Sequence, residues 1–375
     1  MTMSPTPVAG KTPVVALILA GGTGGHVYPA LAVAQMLRQI GWDVHWLGSR
    51  GGMEARVVPE AGFPIHEIRV SGVRGKGLVR RLFAPWMVLN ALWDCAVFIR
   101  RLRPAVVLGM GGFTAGPAGL ATWLLRRPLV IHEQNAYPGL TNRLLAPLAQ
   151  TVLEAFPGSF ARAGKPSMSN LSFTGNPLRR EIAATEHVLN EAFHGPLRVL
   201  VLGGSQGAQT INQRLPETVR LIQQRYGEEA VQVTHQAGPR HGVSTKVRYA
   251  NTSGVRVVDY IDDMAHAYAD ADLAICRSGA MTVAELTAVG VPSILIPFPF
   301  AVDDHQRLNA QHLSERDAAV LMDEADATPQ RLADELGRFL DDPGRLVSMA
   351  CAAHALGIRD ATQRVVARCE ESSRA

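Results

Sequence analysis

The chain has 375 residues, a length that favours two domains over one. Its hydrophobic fraction of 47% and charged fraction of 19% fit a well-buried globular protein. A net charge of +4 is too small and too diffuse to mark a nucleic-acid binder, but it suits anionic substrates or an anionic membrane surface. Cys95, Cys276, Cys351 and Cys369 lie far apart and form no CxxC pair, so reduced thiols are expected rather than a disulfide framework or a zinc site. No apolar run approaches the roughly 18 residues of a membrane span, and the run from Val14 to Ala20 breaks at glycine with no processing site.

Residues 1–12, rich in Thr, Pro and Ser, read as a disordered tail. The run ending at Ala20 reads as a buried strand that stops at Gly21-Gly22-Thr23-Gly24-Gly25-His26. Glycine supplies positive φ and lets backbone N–H groups approach a ligand. A helix N-terminus behind such a turn favours an anion. Pro29 suits the first helical turn, and Ala30, Val33, Ala34, Leu37 and Ile40 keep helical spacing up to Gly41. Val44 to Leu47 is the expected second strand, and Ile65 to Val70 the third.

Ser71 to Arg81 is basic and glycine-rich, with Arg74, Lys76, Arg80 and Arg81. Leu82, Phe83, Trp86, Met87, Leu89, Leu92 and Trp93 follow at roughly helical spacing. Cations beside bulky aromatics suit an interfacial membrane contact, which is expected for Arg74 to Trp86. Leu89 to Phe98 is expected to be an ordinary amphipathic helix packed on its sheet.

Ala105 to Leu108 reads as a strand running into a third glycine turn, Gly109-Met110-Gly111-Gly112-Phe113. The strand Leu129 to Ile131 ends at His132-Glu133-Gln134-Asn135, and polar residues at the carboxyl end of a parallel strand are where open α/β sheets bind ligands. His132 and Glu133 read equally well as loop-holding hydrogen bonders and as direct participants in chemistry. No second cluster completes a metal site, so no metal is expected. Thr151 to Phe156 and Leu171 to Thr174 are the last strands of the first half, and Gly175-Asn176-Pro177 marks a boundary.

Alternation restarts with strands at Leu197–Leu202, Ala230–His235, Val255–Asp259, Leu273–Cys276 and Ser293–Pro297, the pattern of a second parallel sheet. The first of these ends at Gly203-Gly204-Ser205-Gln206-Gly207, a second copy of the glycine device, though neither copy is a Walker loop. The fourth leads through Arg277-Ser278-Gly279 into a helix starting near Ala280. That helix start can hold a pyrophosphate. Glu285, in its first turns, reads as a ribose acceptor or as a surface acid favoured by the helix dipole, and the residues alone do not choose. In Asp303-Asp304-His305-Gln306 one Asp is expected to cap a helix. The expected organisation is a tail (1–12), a first domain (13–175), a second (176–357) and a final helix (358–375) packing back on the first.

Together these motifs resemble the MurG branch of glycosyltransferase family 28, and the likeness covers nearly the whole chain beyond the first dozen residues. It rests on the 21–26, 132–135 and 203–207 stretches, Ser71 to Gly77, Gly175 to Arg179, Tyr260-Ile261-Asp262-Asp263-Met264, Arg277 to Glu285 and Asp303 to Gln306. The resemblance implies two Rossmann-like, doubly wound α/β parallel-sheet domains facing across a cleft, the GT-B fold. It implies transfer of N-acetylglucosamine from UDP-N-acetylglucosamine to the 4-hydroxyl of undecaprenyl-pyrophosphoryl-MurNAc-pentapeptide (lipid I) without a cofactor. The work would be done at the cytoplasmic face of the cell membrane, beside other cell-wall and division enzymes. The donor would sit mainly on the second domain. Ile261 would contact uracil, Glu285 the ribose, and Ser205 with Ala280, Met281 and Thr282 the pyrophosphate, with Val283 and Ala284 also in the donor site. Asn135, Arg179, Gln306 and Thr23, Gly24 and Gly25 would line the pocket. Phe113 and Phe300 stand where the family often has Tyr and His respectively.

The reaction would be an inverting displacement at the anomeric carbon. His26 is the leading candidate base, because a helix start would keep the ring neutral near pH 7, and Glu133 is the competitor. A UDP-N-acetylglucosamine 2-epimerase and a non-catalytic nucleotide-sugar-binding scaffold at the membrane are the alternatives. Product formed from the nucleotide sugar without acceptor would indicate the first, and tight UDP binding without turnover the second.

Overall fold

A computed structural model describes residues 13–68, 78–165, 168–187, 195–203 and 208–374, with side chains left out of the description at 78–85. The strands are β1 (Val15–Leu19), β2 (Asp43–Ser49), β3 (Ile65–Ile68), β4 (Val106–Gly109), β5 (Leu129–Glu133), β6 (Thr151–Glu154) and β7 (Leu171–Phe173) in the first lobe. The second lobe has β8 (Leu197–Leu202), β9 (Val231–Gln236), β10 (Val255–Val258), β11 (Leu273–Cys276), β12 (Ser293–Leu295) and β13 (Val320–Leu321). Helices α1 (Gly24–Gln39), α2 (Glu54–Glu60), α3 (Leu78–Leu102), α4 (Ala115–Leu124), α5 (Leu140–Leu145), α6 (Ser159–Arg162) and α7 (Arg180–Ala183) precede β8. After it come α8 (Gln209–Tyr226), α9 (Gly242–Arg248), α10 (Met264–Ala269), α11 (Ala280–Val289), α12 (His305–Ser314), α13 (Pro329–Asp341), α14 (Gly344–Leu356) and α15 (Ala361–Arg374).

The seven strands of the first sheet run in the order β3-β2-β1-β4-β5-β6-β7 and the six of the second in the order β10-β9-β8-β11-β12-β13. All pairings are parallel, from Ala16 beside Val44 and Val106 to Leu200 beside Thr234 and Ala274. Each sheet is apolar on both faces because helices cover both, so its strands read as continuous apolar runs. In β1, Ala16 and Ile18 face one core with α1 and α15, while Leu17 and Leu19 face the other with α3 and α4. In β8, Val199 and Val201 pack toward α8 and α13, and Leu200 and Leu202 toward α11. Strand order reverses beside β1 and beside β8. Open sheets form their ligand crevice at such points, beyond the carboxyl ends of the strands. The glycine turn after β1, the carboxyl end of β8 and the start of α11 therefore stand where the topology opens.

The final helix α15 crosses to the first lobe. It contacts α1, β4, β5 and β6, with Val365, Val366 and Cys369 buried in that core. Thr362 Oγ1 both accepts from Leu178 N (3.2 Å) and donates to Leu178 O (3.1 Å), tying the helix to the connector between the sheets.

Three expectations are corrected here. Helix α1 starts at Gly24 rather than near Pro29, since Thr23 O already accepts from the N–H groups of His26 and Val27 (3.1 Å each). His26 is thus inside the first turn and Pro29 in the helix interior. Neither Asp303 nor Asp304 caps α12 with its side chain; both adopt positive φ, and their carboxylates pair instead with Arg143 and Arg307. Helix α3 packs through Ala91, Cys95 and Ile99, yet Leu89 and Trp93 point outward with Trp86, so the apolar set at 89–98 is split between core and surface.

Candidate functional site

Glu54 organises the first glycine turn, and the sequence reading missed it. The first residue of α2, it is fully buried and folds back under the end of β1. Its carboxylate accepts from Gly22 N (3.0 Å), Ser49 N (2.8 Å) and Ser49 Oγ (2.5 Å). A Cβ at Gly21, Gly48 or Gly52 would sit 2.3–2.6 Å from this side chain. Those three glycines are therefore glycines to admit a carboxylate of the protein's own. Burial pushes the Glu54 carboxyl up, but the hydrogen bonds from Ser49 and Gly22 outweigh it and leave the group below the usual carboxylate range. The third glycine turn has a similar purpose. A Cβ at Gly112 would meet Gly21 O at 2.4 Å, and one at Gly111 would meet the His26 ring at 2.9 Å. With Gly22 N–H occupied, the amides of Thr23, Gly24 and Gly25 remain without an acceptor among the described residues. They are the open donors of a helix N-terminus.

His26 is half-buried beside them. Its Nδ1 lies 3.0 Å from Gln134 Oε1. Gln134 Nε2 lies 3.2 Å from His132 Nδ1, and His132 Nε2 lies 2.9 Å from Gly175 O. His132 is completely buried; that desolvation pulls its pKa down to about 4, against the Gly175 hydrogen bond, so the ring is neutral near pH 7. Glu133, the competing base, is committed elsewhere. Its two oxygens accept from Asn135 N and Nδ2 (3.0 and 3.2 Å), Gly139 N (3.0 Å) and Asn142 Nδ2 (2.9 Å), and the residue is buried. A carboxylate with about four acceptor positions has none left for a substrate proton in this arrangement. Glu133 shapes the loop that carries Asn135.

The lobes meet through polar contacts around this loop. Asn309, fully buried in α12, accepts from Ala136 N (2.8 Å) and donates to Asn135 Oδ1 (3.3 Å) and Ser278 O (3.0 Å). Asn176 Nδ2 bridges Gln134 O (3.0 Å) and Ala280 O (3.4 Å). Helix α1 also touches α11. The turn at 21–26 and the start of α11 thus belong to one crevice.

In the second lobe Glu285 is only slightly exposed. Oε1 accepts from Arg179 (3.4 Å) and Oε2 from the buried Tyr268 hydroxyl (2.9 Å). Burial raises its pKa, against the pull of Arg179 and Tyr268. Ala280 and Val283 turn their side chains into the core, so they can offer a ligand only backbone. Met281, Thr282 and Ala284 are half-buried on the other face. Ile261 is half-buried and lines a cavity of about 360 Å³ with Tyr260 and Thr234. Gln306 Oε1 accepts from Phe298 N (2.9 Å), and Ser278 Oγ donates to Gln306 O (2.7 Å), which fixes that residue beside the α11 turn. Ser205, Arg74 and Lys76 lie outside the described residues, as do the side chains of Arg80, Arg81 and Phe83. Trp86 is 65% exposed.

The missed residues left different traces. Glu54 follows a glycine-flanked strand end, Gly48 to Gly52, which is a usable signal. Tyr268, near the end of α10, and Asn309, in the middle of α12, have no local pattern to mark them.

Comparison with known proteins shows the family and the fold. The glycosyltransferase family 28 N-terminal domain matches residues 16–154, and the family's C-terminal domain residues 198–365. A UDP-N-acetylglucosamine--N-acetylmuramyl-(pentapeptide) pyrophosphoryl-undecaprenol N-acetylglucosamine transferase from Nitrosococcus oceani is 50% identical over 359 residues, covering 95% of this chain and 98% of its own. The enzyme of the same name from Thiobacillus denitrificans is also 50% identical, covering 94% and 97%. The crystal structure of Acinetobacter baumannii MurG superposes with a TM-score of 0.80 at 36% identity, covering 96% of this chain and all of that one. A UDP-N-acetylglucosamine 2-epimerase superposes at a TM-score of 0.64 with 14% identity, covering 95% of each chain, a likeness of fold alone.

Proposed function

Because the chain belongs to glycosyltransferase family 28 and has its two-lobed GT-B fold, we propose that it transfers N-acetylglucosamine from UDP-N-acetylglucosamine to the 4-hydroxyl of undecaprenyl-pyrophosphoryl-MurNAc-pentapeptide in peptidoglycan synthesis. The observation that carries this reading is the pairing, in one crevice, of a held histidine and three open amides with a buried carboxylate on the opposite lobe.

Glu285 takes the ribose. Arg179 and Tyr268 each occupy one position on its oxygens, which leaves acceptor capacity for two hydroxyls. The pyrophosphate lies against the N-terminus of α11, whose first amides have no helical acceptor, and Arg179 stands nearby to add a charge-assisted contact. These donors stabilise charge where it develops as UDP departs. His26 Nε2 takes the acceptor's 4-hydroxyl proton. The oxygen forms its bond to the anomeric carbon as the carbon–phosphate-oxygen bond breaks on the far side. The electron pair leaves with UDP, and the configuration inverts. Asn135 and Gln306 position the sugar between the lobes.

The acceptor's lipid places the reaction at an anionic membrane surface, which the first lobe meets. Trp86, Leu89 and Trp93 are exposed along α3, and Trp123 and Leu124 on its neighbour α4, with Arg100, Arg101 and Arg126 also exposed on this lobe. Exposed aromatic and aliphatic side chains on a lobe that also exposes cations fit an interfacial contact. Among the described residues no helix is long and apolar enough to cross a membrane.

Assay with the nucleotide sugar and the lipid acceptor tests the activity, and His26→Ala tests the base. A loss of about 10²–10⁴ in kcat is expected, and a near-normal kcat removes His26 from the role. Trp86→Ala with Trp93→Ala should weaken flotation with anionic liposomes; undiminished flotation removes α3 from the contact.

A further inference from the structure

The chain of contacts from Gly175 to His26 has only one consistent polarity. A carbonyl oxygen accepts and cannot donate, so His132 Nε2, 2.9 Å from Gly175 O, carries a hydrogen. His132 is neutral because it is wholly buried, so its Nδ1 is a lone pair. Only the NH₂ group of Gln134 can satisfy that lone pair, and the same group reaches His132 O at 3.3 Å. Turning the carboxamide over would set oxygen against both acceptors. Gln134 Oε1 therefore faces His26, and His26 Nδ1 must donate to it.

We propose that His132 and Gln134 form a positioning relay, anchored on the Gly175 carbonyl, that holds neutral His26 in the Nδ1–H tautomer and leaves Nε2 as the free proton acceptor. Among the described residues Nε2 makes no hydrogen bond. Gly111 lies against the His26 ring beside Cε1 and Nδ1, where a Cβ would come within 3.0 Å, so any side chain there would push the imidazole off its contact with Gln134. Carboxylates usually orient catalytic imidazoles. A carboxamide does so without bringing a negative charge near the departing diphosphate. The anchor is also mechanical: Gly175 begins the connector between the two sheets, and the next residue, Asn176, bridges Gln134 O and Ala280 O across the lobes. The base is thereby tied to the connector that sets the position of the donor-binding lobe.

This relay rests on His26 being the base, but its existence can be tested separately. Full-length protein labelled with ¹⁵N-histidine contains 12 histidines, and the His26 signals are those lost in His26→Ala. At pH values where His26 is neutral, wild type should show a protonated Nδ1 and an unprotonated Nε2. Gln134→Glu keeps an acceptor toward His26 and should keep that tautomer wherever His26 is neutral, while its second oxygen opposes His132 Nδ1 and O and should shift the His132 signals. Gln134→Leu removes it and should give a tautomer mixture. Its kcat should fall about 10- to 100-fold with little change in KM, less than the about 10⁴-fold cost of a locked wrong tautomer because the freed ring still samples the productive form. Unchanged UDP affinity in Gln134→Leu shows that the variant is folded. A protonated Nε2 in wild type, or an unaltered tautomer in folded Gln134→Leu, overturns the relay. If Gln134→Leu does not fold, the wild-type and Gln134→Glu spectra still decide. Normal kcat in His26→Ala, with the tautomer as expected, defeats the base assignment and leaves the relay standing.

Discussion

Two carboxylates beside the crevice, Glu54 in the first lobe and Glu285 in the second, are held in opposite ways. Glu54 in the first lobe is bonded by Gly22 N–H, Ser49 N–H and the Ser49 hydroxyl. Glu285 in the second is bonded by the side chains of Arg179 and Tyr268. Both lose hydration, yet Glu54 sits below the usual carboxylate range and Glu285 above it. The Ser49 hydroxyl and the fixed amides of Gly22 and Ser49 together outweigh the burial of the Glu54 anion, and the group serves as a strut. Glu285 keeps unfilled acceptor capacity and carries a residual cost of burial, the condition of a group waiting for a ligand's hydroxyls. The comparison separates a residue that builds a site from one proposed to bind in it.

The largest effect that sharpens this contrast is on the donor. Glu285→Ala removes the two charge-assisted hydrogen bonds proposed to the ribose, at about 1.5–3 kcal/mol each, so kcat/KM for UDP-N-acetylglucosamine should fall about 10²- to 10⁴-fold. Steady-state kinetics and UDP titration measure it. A loss under threefold would make Glu285 a second strut.

The next effect is on stability. In Glu54→Gln the carboxamide NH₂ must face Gly22 N–H or one of the Ser49 donors, a donor against a donor with no room to turn, because Gly21, Gly48 and Gly52 enclose the group. The cost should be about 1–3 kcal/mol, which lowers the melting midpoint by several degrees at about 2–4 °C per kcal/mol for a domain of this size. Calorimetry should show it without ligand present. An unchanged midpoint would mean that the turn does not depend on its strut.

The contrast also explains what could be read in advance. Parallel strands covered on both faces give apolar runs, so most of both sheets and their order of appearance were legible, and the glycine clusters marked the strand-to-helix turns. The two-residue β13 carries too little pattern to detect. The start of α1 was misplaced because Pro29 imitates an N-terminal signal while Gly24 and Gly25 argue against helix. At the site, groups that touch one another along the chain were visible as motifs, including His132 to Asn135. Their division of labour was not, because it depends on partners far away in sequence: Gly175 for His132, Gly22 for Glu54, Tyr268 for Glu285, Asn309 for the loop at 135. The glycines at 21, 48 and 52 were legible as glycines, but space for Glu54 is a reason that only three dimensions supply.

The smallest effect has the most diagnostic sign. An acid whose folded pKa is raised binds its proton more tightly in the native state, so its contribution to stability is present below the unfolded pKa of about 4.5 and lost as pH rises through the folded value. That is the case of Glu285, and at pH 7 its ionised form is a small burden on the empty protein. An acid whose folded pKa is lowered contributes stability above about 4.5, which is lost as pH falls through the folded value, the case of Glu54. Glu285→Gln cannot ionise, so without ligand at pH 7 it should melt at or slightly above the wild-type temperature while binding UDP poorly. Its advantage over wild type should fade on acidification toward pH 4.5, as the wild-type carboxyl takes up its proton. The deficit of Glu54→Gln should instead persist across that range and shrink only below it. Melting curves from pH 4 to 8 for both variants make the comparison, and a destabilised Glu285→Gln at pH 7 would show that Arg179 and Tyr268 alone already satisfy the Glu285 carboxylate.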